Sequence, residues 1–290
     1  ALILFLYARA GLSLLSSLAA LLVSLTALGL AISALALQKI CDEESNYFCI
    51  RVVDVAARPD EPVNMMVLDH LVHGTSAKNR PDLMFTDYAA MLDHLALQRV
   101  GANIAAEADF SAFLIGGGTF SLPRKWSELG LSTDITVAEI DPAVTQIAQT
   151  HFWFDPARVP GSVKVLNQDA RLALLQSQRR FDVIVGDAFT DIAVPPHLMT
   201  HEFFKLVRAR LNDQGVYLMN VIDHMDNFKV TGSLVKTLQQ SFPHVEVWTE
   251  MKQTAPGERL VLVIAAGKTA TTIDQFTART PNAKSFAALS

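Results

Sequence analysis

An apolar stretch that ends in three consecutive glycines is the feature that most restricts how this chain can fold. Residues 110–115 are apolar apart from Ser111, which predicts a buried strand. Gly116, Gly117 and Gly118 follow at once, and we expect a helix to begin within the next few residues. Glycines at such a turn let the backbone reverse sharply and let a ligand approach main-chain N–H groups. The stretch therefore predicts the first strand and the ligand-binding turn of an α/β sheet.

Acidic residues stand at the carboxyl ends of the next three predicted strands. They are Glu139, Asp169 and Asp187, and in a parallel sheet those ends share one edge. A carboxylate after the second strand commonly binds a ribose diol, and one after the third can accept a hydrogen bond from an adenine amino group. Taken singly, Glu139 or Asp169 could be a helix N-cap, and Asp187 a solvated loop acid. Together with the glycines they predict a nucleoside site.

Predicted strands and helices alternate from residue 110 towards the C-terminus. This alternation indicates a parallel sheet with helices on both faces. The last two strands are separated only by residues 249–258, so they should pair antiparallel. The predicted strands lie near 110–115, 134–139, 163–166, 181–186, 214–221, 244–248 and 259–266. The predicted helices lie near 86–100, 121–130, 142–152, 169–177, 200–212 and 226–241, with a further one near 272–279.

The N-terminal region differs in composition from the rest of the chain. Residues 10–38 carry no charged side chain and would form a helix about 43 Å long, enough to cross a bilayer. We therefore predict a transmembrane segment at 1–40, further membrane helices upstream, and a membrane protein whose soluble domain faces the cytoplasm. A signal peptide is the alternative. A β-hairpin region at 41–82 and a nucleoside-binding catalytic domain at 83–290 follow.

Charge, cysteine and histidine content limit the remaining classes of site. The formal net charge of −5 argues against general nucleic-acid binding. We expect Cys41 and Cys49 to be free thiols in a reducing compartment, since no zinc-like pattern surrounds them. His197 and His201 could lie one helical turn apart, but no Glu stands between them in a metal-binding pattern, so we predict no metal site.

Six short motifs lie along the chain between about Glu44 and Ala266. They are Val67-Leu68-Asp69, Tyr88 with Met91-Leu92, Gly116–Gly118 with Arg124, Glu139-Ile140-Asp141, Asp169-Ala170 and Asp182 to Asp187. In these motifs the sequence resembles the spermidine synthase family of aminopropyltransferases. The resemblance implies a seven-stranded, Rossmann-like sheet of the kind found in S-adenosylmethionine-dependent methyltransferases, with an antiparallel last strand. Residues 195–203 resemble the form of the family that is fused to transporter-like membrane helices.

The resemblance implies transfer of an aminopropyl group from decarboxylated S-adenosylmethionine to a putrescine-like amine, and also a homodimer. Asp187 would orient and deprotonate the amine, with Tyr88 nearby, because an ammonium is not a nucleophile. His73 and Asp191 would lie on the side of the amine. The co-substrate, S-adenosylmethionine or its decarboxylated form, would be bound by Gly116, Gly117, Gly118, Glu139, Asp169 and Ala170.

The sequence departs from the family pattern mainly on the amine side. Thr119 stands where the family has an acid, and His73 where it has Gln. Thr190 replaces a second aspartate, with Asp191 one position later. A long dication needs an acidic partner at each end. Two alternatives therefore stay open: a methyltransferase of a small acceptor, and a non-catalytic nucleoside-binding module of a membrane protein.

Overall fold

The computed structural model of the chain describes residues 14–36, 40–105, 110–128, 133–157, 162–190, 193–255 and 257–289. The chain divides after Asp42 into two compact units. The first contains one described helix, α1 (Leu14–Ala36). The second contains two sheets and the remaining described helices.

The prediction of an N-terminal transmembrane helix is contradicted. In the described part of the chain, no helix is both long and apolar enough to cross a membrane. On this finding the transmembrane segment, and the membrane localisation with a cytoplasmic domain that was inferred from it, are wrong. The fusion to transporter-like helices is not shown.

The region predicted as a hairpin is a four-stranded antiparallel sheet. The predicted second strand, 63–72, is divided by a tight turn at which Asp69 has a φ of +54°. Asp tolerates this left-handed conformation better than most residues, so the chain reverses there and pairs again. Ile50, Met66 and Leu68 pack against Val144 and Phe152 of the main domain. The strands are β1 (Glu43–Glu44), β2 (Cys49–Asp54), β3 (Val63–Leu68) and β4 (Leu71–Ala77), in that order.

Both cysteines are disulfide-bonded. No free thiol remains on Cys41 or Cys49. The prediction of free thiols is therefore wrong. The absence of a zinc-like pattern around the two residues does not distinguish a thiol from a disulfide, because both are compatible with the same local sequence.

Within the described ranges, the main sheet has nine strands. They are β5 (Phe110–Ile115), β6 (Thr133–Ala138), β7 (Ser162–Leu166), β8 (Phe181–Gly186), β9 (Leu211–His224), β10 (His244–Glu250), β11 (Arg259–Gly267), β12 (Gln275–Thr277) and β13 (Ser285–Ala288). Their order across the sheet is β12-β13-β10-β11-β9-β8-β5-β6-β7. Strands β5 to β9 pair in parallel, and β11 pairs antiparallel with both β9 and β10, as the sequence predicts.

The predicted helix near 272–279 is instead the strand β12. Phe276 is buried between two exposed neighbours, the alternation of a strand with one face on the core. Its ring packs near Trp248 and Phe286, with centroids 5.5 and 5.4 Å away. Strands β12 and β13 thus extend the predicted seven-stranded sheet beyond β10.

Helices cover both faces of this sheet. Ala112 and Leu114 of β5 pack into one core cluster, and Phe113 and Ile115 into the other, because successive side chains of a strand point to opposite faces. The chain leaves β5 towards β6 and β7 and returns on the other side at β8, so a crevice opens between the ends of β5 and β8. The helices are α2 (Asp87–Ala105), α3 (Ser121–Glu128), α4 (Pro142–His151), α5 (Ala170–Gln176), α6 (His201–Arg210) and α7 (Lys229–Leu238).

Candidate active site

The glycine turn lies directly against the segment that follows β8. Gly116 has a φ of +92° and donates its N–H to the carbonyl of Ala138 at 2.9 Å. A Cβ atom at Gly116 would lie 2.5 Å from the carbonyl oxygen of Asp187. Only glycine satisfies both the backbone conformation and this close approach. The turn and Asp187 therefore meet at the crevice, as the strand order requires.

Glu139 lies immediately after β6 and is buried against the same turn. Its Oε2 accepts a hydrogen bond from the N–H of Gly117 at 2.7 Å, and its Oε1 accepts one from Asp141 at 2.9 Å. Burial raises the pKa of Glu139, and these two backbone hydrogen bonds oppose the rise. The carboxylate is thus held in one orientation at the wall of the crevice.

Asp169 precedes α5 and already has partners for both carboxylate oxygens. Oδ1 caps the helix by accepting from the N–H of Leu172 at 2.9 Å. Oδ2 lies 2.8 Å from Nε2 of His197. Arg171 holds the carbonyl of His197 at 2.9 Å, which fixes the short 3-10 turn Pro196–Leu198 beside α5. His197, which sequence analysis considered only as a metal ligand, is therefore a neighbour of the predicted adenine-binding acid.

Asp187 lies directly after β8, in the crevice. Its N–H donates to the carbonyl of Ile115 at 2.9 Å, and its Oδ1 accepts a hydrogen bond from Nδ2 of Asn220 at 2.8 Å. Burial raises the pKa of Asp187 to about 7; the Asn220 hydrogen bond opposes the rise and the negative charge of Glu139 adds to it. A carboxyl group that titrates near neutral pH can both accept and release a proton.

Tyr88 and His73 form the opposite side of the crevice. The hydroxyl of Tyr88 donates to the carbonyl of His73 at 2.9 Å. Burial and the nearby Asp187 raise the pKa of Tyr88, so its hydroxyl stays protonated. Burial lowers the pKa of His73 to about 4, with Asp69 opposing, so its imidazole is neutral at neutral pH.

Two adjoining cavities meet at His73, Asp187 and Phe189. The first, here called the glycine cavity, measures about 160 Å³ and is lined by Gly116, Gly118, Glu139, Asp169, Ala170, Phe48 and His197, among others. The second, here called the lysine cavity, measures about 350 Å³ and is lined by Leu71, Val72, His73, Phe85, Thr86, Asp87, Tyr88, Asp187, Phe189, Asn220, Ile222, Val261 and Lys284. Asp187 thus stands where the two cavities join.

Two of the predicted site residues, Gly117 and Asp191, are not among the residues that line the two cavities. Gly117 lines a small pocket between the two cavities, together with His73 and Tyr88. Asp191 lies outside the described residues, and its neighbour Thr190 lines the glycine cavity. No group of three or more His, Cys, Asp or Glu side chains in the described ranges could hold a metal ion.

Three residues of the site were missed by sequence reasoning. Asn220 is the one carboxamide in the otherwise apolar stretch 216–222 of β9, a signal that could have marked it. Its Oδ1 is buried without a hydrogen-bond partner at the wall of the lysine cavity. His197 and Lys284 carried no such local signal, because their partners lie 28 and 197 positions away in the chain.

Comparison with known proteins agrees with this geometry. A family model described as a spermine/spermidine synthase domain matches residues 87–275. The chain belongs to the spermine/spermidine synthase family. The match includes Tyr88, the glycine turn and the three strand-end acids, and it ends before Lys284.

Relatives within the family are similar over part of their length. A probable polyamine aminopropyl transferase of Bifidobacterium longum is 36% identical over 122 residues, which are 42% of this chain and 26% of that protein. A polyamine aminopropyltransferase of Vibrio vulnificus is 34% identical over 110 residues, 37% of this chain and 36% of that protein. The chain therefore spans only about a third or less of these curated relatives.

The fold is also that of a solved structure. A probable spermidine synthase from Corynebacterium glutamicum superposes with a TM-score of 0.68 and 22% sequence identity. The superposition covers 78% of this chain and 79% of that one. The likeness establishes the Rossmann-like fold.

Proposed function

We propose that this chain is an enzyme that transfers the aminopropyl group of decarboxylated S-adenosylmethionine to an amine. The observation that carries the proposal is Asp187, whose pKa of about 7 and position between two cavities suit a proton acceptor. Membership of the spermine/spermidine synthase family supports it. A binding module without catalysis has no need of a carboxyl group tuned in this way.

The co-substrate occupies the glycine cavity in this proposal. Glu139 accepts hydrogen bonds from the ribose hydroxyls, and the glycine turn allows the ligand to lie against the backbone. Asp169 receives the adenine amino group and shares its Oδ2 with His197, while Ala170 packs on the base. The charged groups on this wall are acidic: Glu139, Asp169 and Asp187.

The same charges favour the decarboxylated form of the co-substrate. Among the described residues that line the glycine cavity there is no lysine or arginine. The carboxylate of S-adenosylmethionine would therefore enter without a cationic partner, which is costly in a partly desolvated site. The sulfonium and ammonium of the decarboxylated form instead meet a negative wall.

The amine enters the lysine cavity, and the reaction is a single displacement. Asp187 accepts a proton from the ammonium, and the freed nitrogen lone pair attacks the propyl carbon next to the sulfonium. A carbon–nitrogen bond forms as the carbon–sulfur bond breaks, and the electron pair stays on sulfur to give methylthioadenosine. Tyr88 and Asn220 flank Asp187 and orient the nitrogen.

The release of methylthioadenosine tests this proposal. The purified chain is incubated with decarboxylated S-adenosylmethionine and a panel of primary amines, alongside Asp187→Asn. We expect release by the unchanged chain and a loss of at least about a hundredfold in the variant, the usual contribution of a general base. Calorimetry must show equal binding of methylthioadenosine to both proteins. Full activity in the variant, or no release with any amine, contradicts the proposal.

Two further expectations accompany the proposed function. The homodimer implied by the resemblance is a prediction that light scattering on the purified chain can test. The division into a segment 1–40, a β-rich region 41–82 and a catalytic domain 83–290 is a proposal that limited proteolysis can test, with cleavage expected near residues 40 and 82.

A further inference from the structure

Lys284 places a fixed positive charge in the wall of the lysine cavity. Its ammonium donates to Oδ1 and Oδ2 of Asp87 at 2.7 and 3.0 Å and contacts Oε1 of Glu250 at 3.1 Å. Burial acts to lower the pKa of Lys284, but these contacts outweigh burial and raise the pKa above its ordinary value, so the side chain is charged at neutral pH. About two thirds of its side chain is buried.

The fold fixes both the backbone and the ammonium of Lys284. Lys284 precedes β13, and its backbone is fixed by a bond from its N–H to Oγ1 of Thr280 and by a bond to its carbonyl from Ala278, both 2.9 Å long. Glu250 is the end of β10, which pairs with β13, and Asp87 begins α2. The charge is therefore built into the cavity, unlike that of a mobile surface lysine.

The charged side chains that line the lysine cavity can balance the charge of only one bound cation. Its charged side chains in the described part of the chain are Asp87, Asp187 and Lys284. Lys284 pairs with Asp87, while its second partner, Glu250, also pairs with Lys252 and is not among the residues of the cavity wall. His73 is neutral because its pKa is about 4. One negative charge remains, on Asp187. An acceptor with two ammonium groups would bury the second one without an anionic partner, which costs free energy in a desolvated site. The positive charge of Lys284 would also repel that ammonium.

The rest of the lysine cavity suits the uncharged part of an acceptor. Most of the other lining side chains are apolar, namely Leu71, Val72, Phe85, Phe189, Ile222 and Val261. Alkyl or aromatic groups gain free energy when they leave water for such a surface. Among the described residues, the far end of the cavity therefore offers an apolar surface and a tethered ammonium, and no unpaired carboxylate.

We propose that Lys284 determines acceptor specificity, so that the cavity binds an amine with one ammonium group and an uncharged, apolar remainder in preference to an α,ω-diamine. This inference rests on the proposed function, because it assumes that the lysine cavity receives the acceptor. Lys284 occupies, as part of the protein, the place that the second ammonium of a diamine would need.

Calorimetric binding of butylamine and putrescine, with methylthioadenosine bound, tests the inference. We expect the unchanged chain to bind butylamine at least about tenfold more tightly. Lys284→Gln frees Asp87 and Glu250 for a second ammonium, so the preference should fall at least tenfold or reverse. Lys284→Arg keeps the charge and should keep the preference.

Lys252→Gln is the matched control. Lys252 also pairs with Glu250, at 3.7 Å, but is not among the residues of the cavity wall. Lys252→Gln should leave the preference for butylamine over putrescine unchanged. Thermal unfolding must show that all the variants are folded. The inference is overturned if the unchanged chain prefers putrescine or binds neither amine, or if Lys284→Gln behaves as Lys252→Gln does.

Methylthioadenosine release separates the two proposals. The expected binding preference without release by any amine contradicts the proposed function alone. Release with a preference for putrescine that Lys284→Gln does not alter contradicts the inference about Lys284 alone.

Discussion

Asn220 donates a hydrogen bond of 2.8 Å from its Nδ2 to Oδ1 of Asp187, across two neighbouring strands of the sheet. This bond favours the ionised carboxylate, whereas burial favours the protonated acid. The balance leaves the pKa of Asp187 at about 7. The reactivity of the aspartate is therefore set jointly by β8 and β9.

The activity should depend on pH through Asp187. The protonated acid cannot accept a proton, so kcat/KM should rise with pH through about 7 and fall about tenfold per pH unit below it. Asn220→Leu removes the bond that lowers this pKa, and should shift the rise to higher pH. A profile measured from pH 5 to 9 checks both, and an unshifted profile in Asn220→Leu would contradict the role of Asn220.

Asp187 should also lower the stability of the folded chain at neutral pH. Its folded pKa of about 7 lies above the ordinary value of 3.8, so the folded state holds its proton more tightly than the unfolded state. Stability from this group is complete below pH 4 and is lost as pH rises to 7 and beyond. Asp187→Asn should therefore raise Tm at pH 8 and change it little at pH 4. An equal change at both pH values would show that its ionisation is not responsible.

Glu139 should govern binding of the nucleoside. Glu139→Gln keeps the shape of the side chain but removes its charge and replaces one acceptor oxygen by a donor, which weakens bonds to ribose hydroxyls and to the N–H of Gly117. Methylthioadenosine should bind about 10- to 100-fold more weakly by calorimetry, since a hydrogen bond to a charged group contributes about 1.5–3 kcal/mol. If Glu139→Gln binds methylthioadenosine as tightly as the unchanged chain does, Glu139 does not bind the ribose.

Two glycine substitutions should have opposite effects. Gly116→Ala places a Cβ 2.5 Å from the carbonyl of Asp187 at a φ of +92°, so it should lower Tm and abolish methylthioadenosine release. Gly232→Ala, in the exposed part of α7, meets nothing within 4 Å and should stabilise the fold by about 0.5–1 kcal/mol without loss of activity. Thermal unfolding and release assays compare the two, and equal effects would contradict the close approach at Gly116.

Hydrophobic periodicity and the placement of glycine and acidic residues determined much of the main domain. Buried strands such as Phe110–Ile115 are apolar on both faces, and their alternation with helices leaves few topologies. Since parallel strands end at one edge, the positions of Glu139, Asp169 and Asp187 near a common crevice follow from the sequence. The predictions of free thiols and of a helix near 272–279 were wrong because the sequence pattern does not report which residue a cysteine bonds to or which strand a segment pairs with. The prediction of a membrane helix was also wrong.

The tertiary structure alone decided the chemical state of the site. The pKa of Asp187 depends on desolvation by packed neighbours and on Asn220, 33 positions away. The charge of the lysine cavity depends on Lys284 meeting Asp87 across 197 positions. The local sequence specifies backbone conformation because that conformation depends on residues a few positions apart. The hydrogen bonds and the burial of a side chain depend on residues that are distant in the sequence and that only the completed fold brings together.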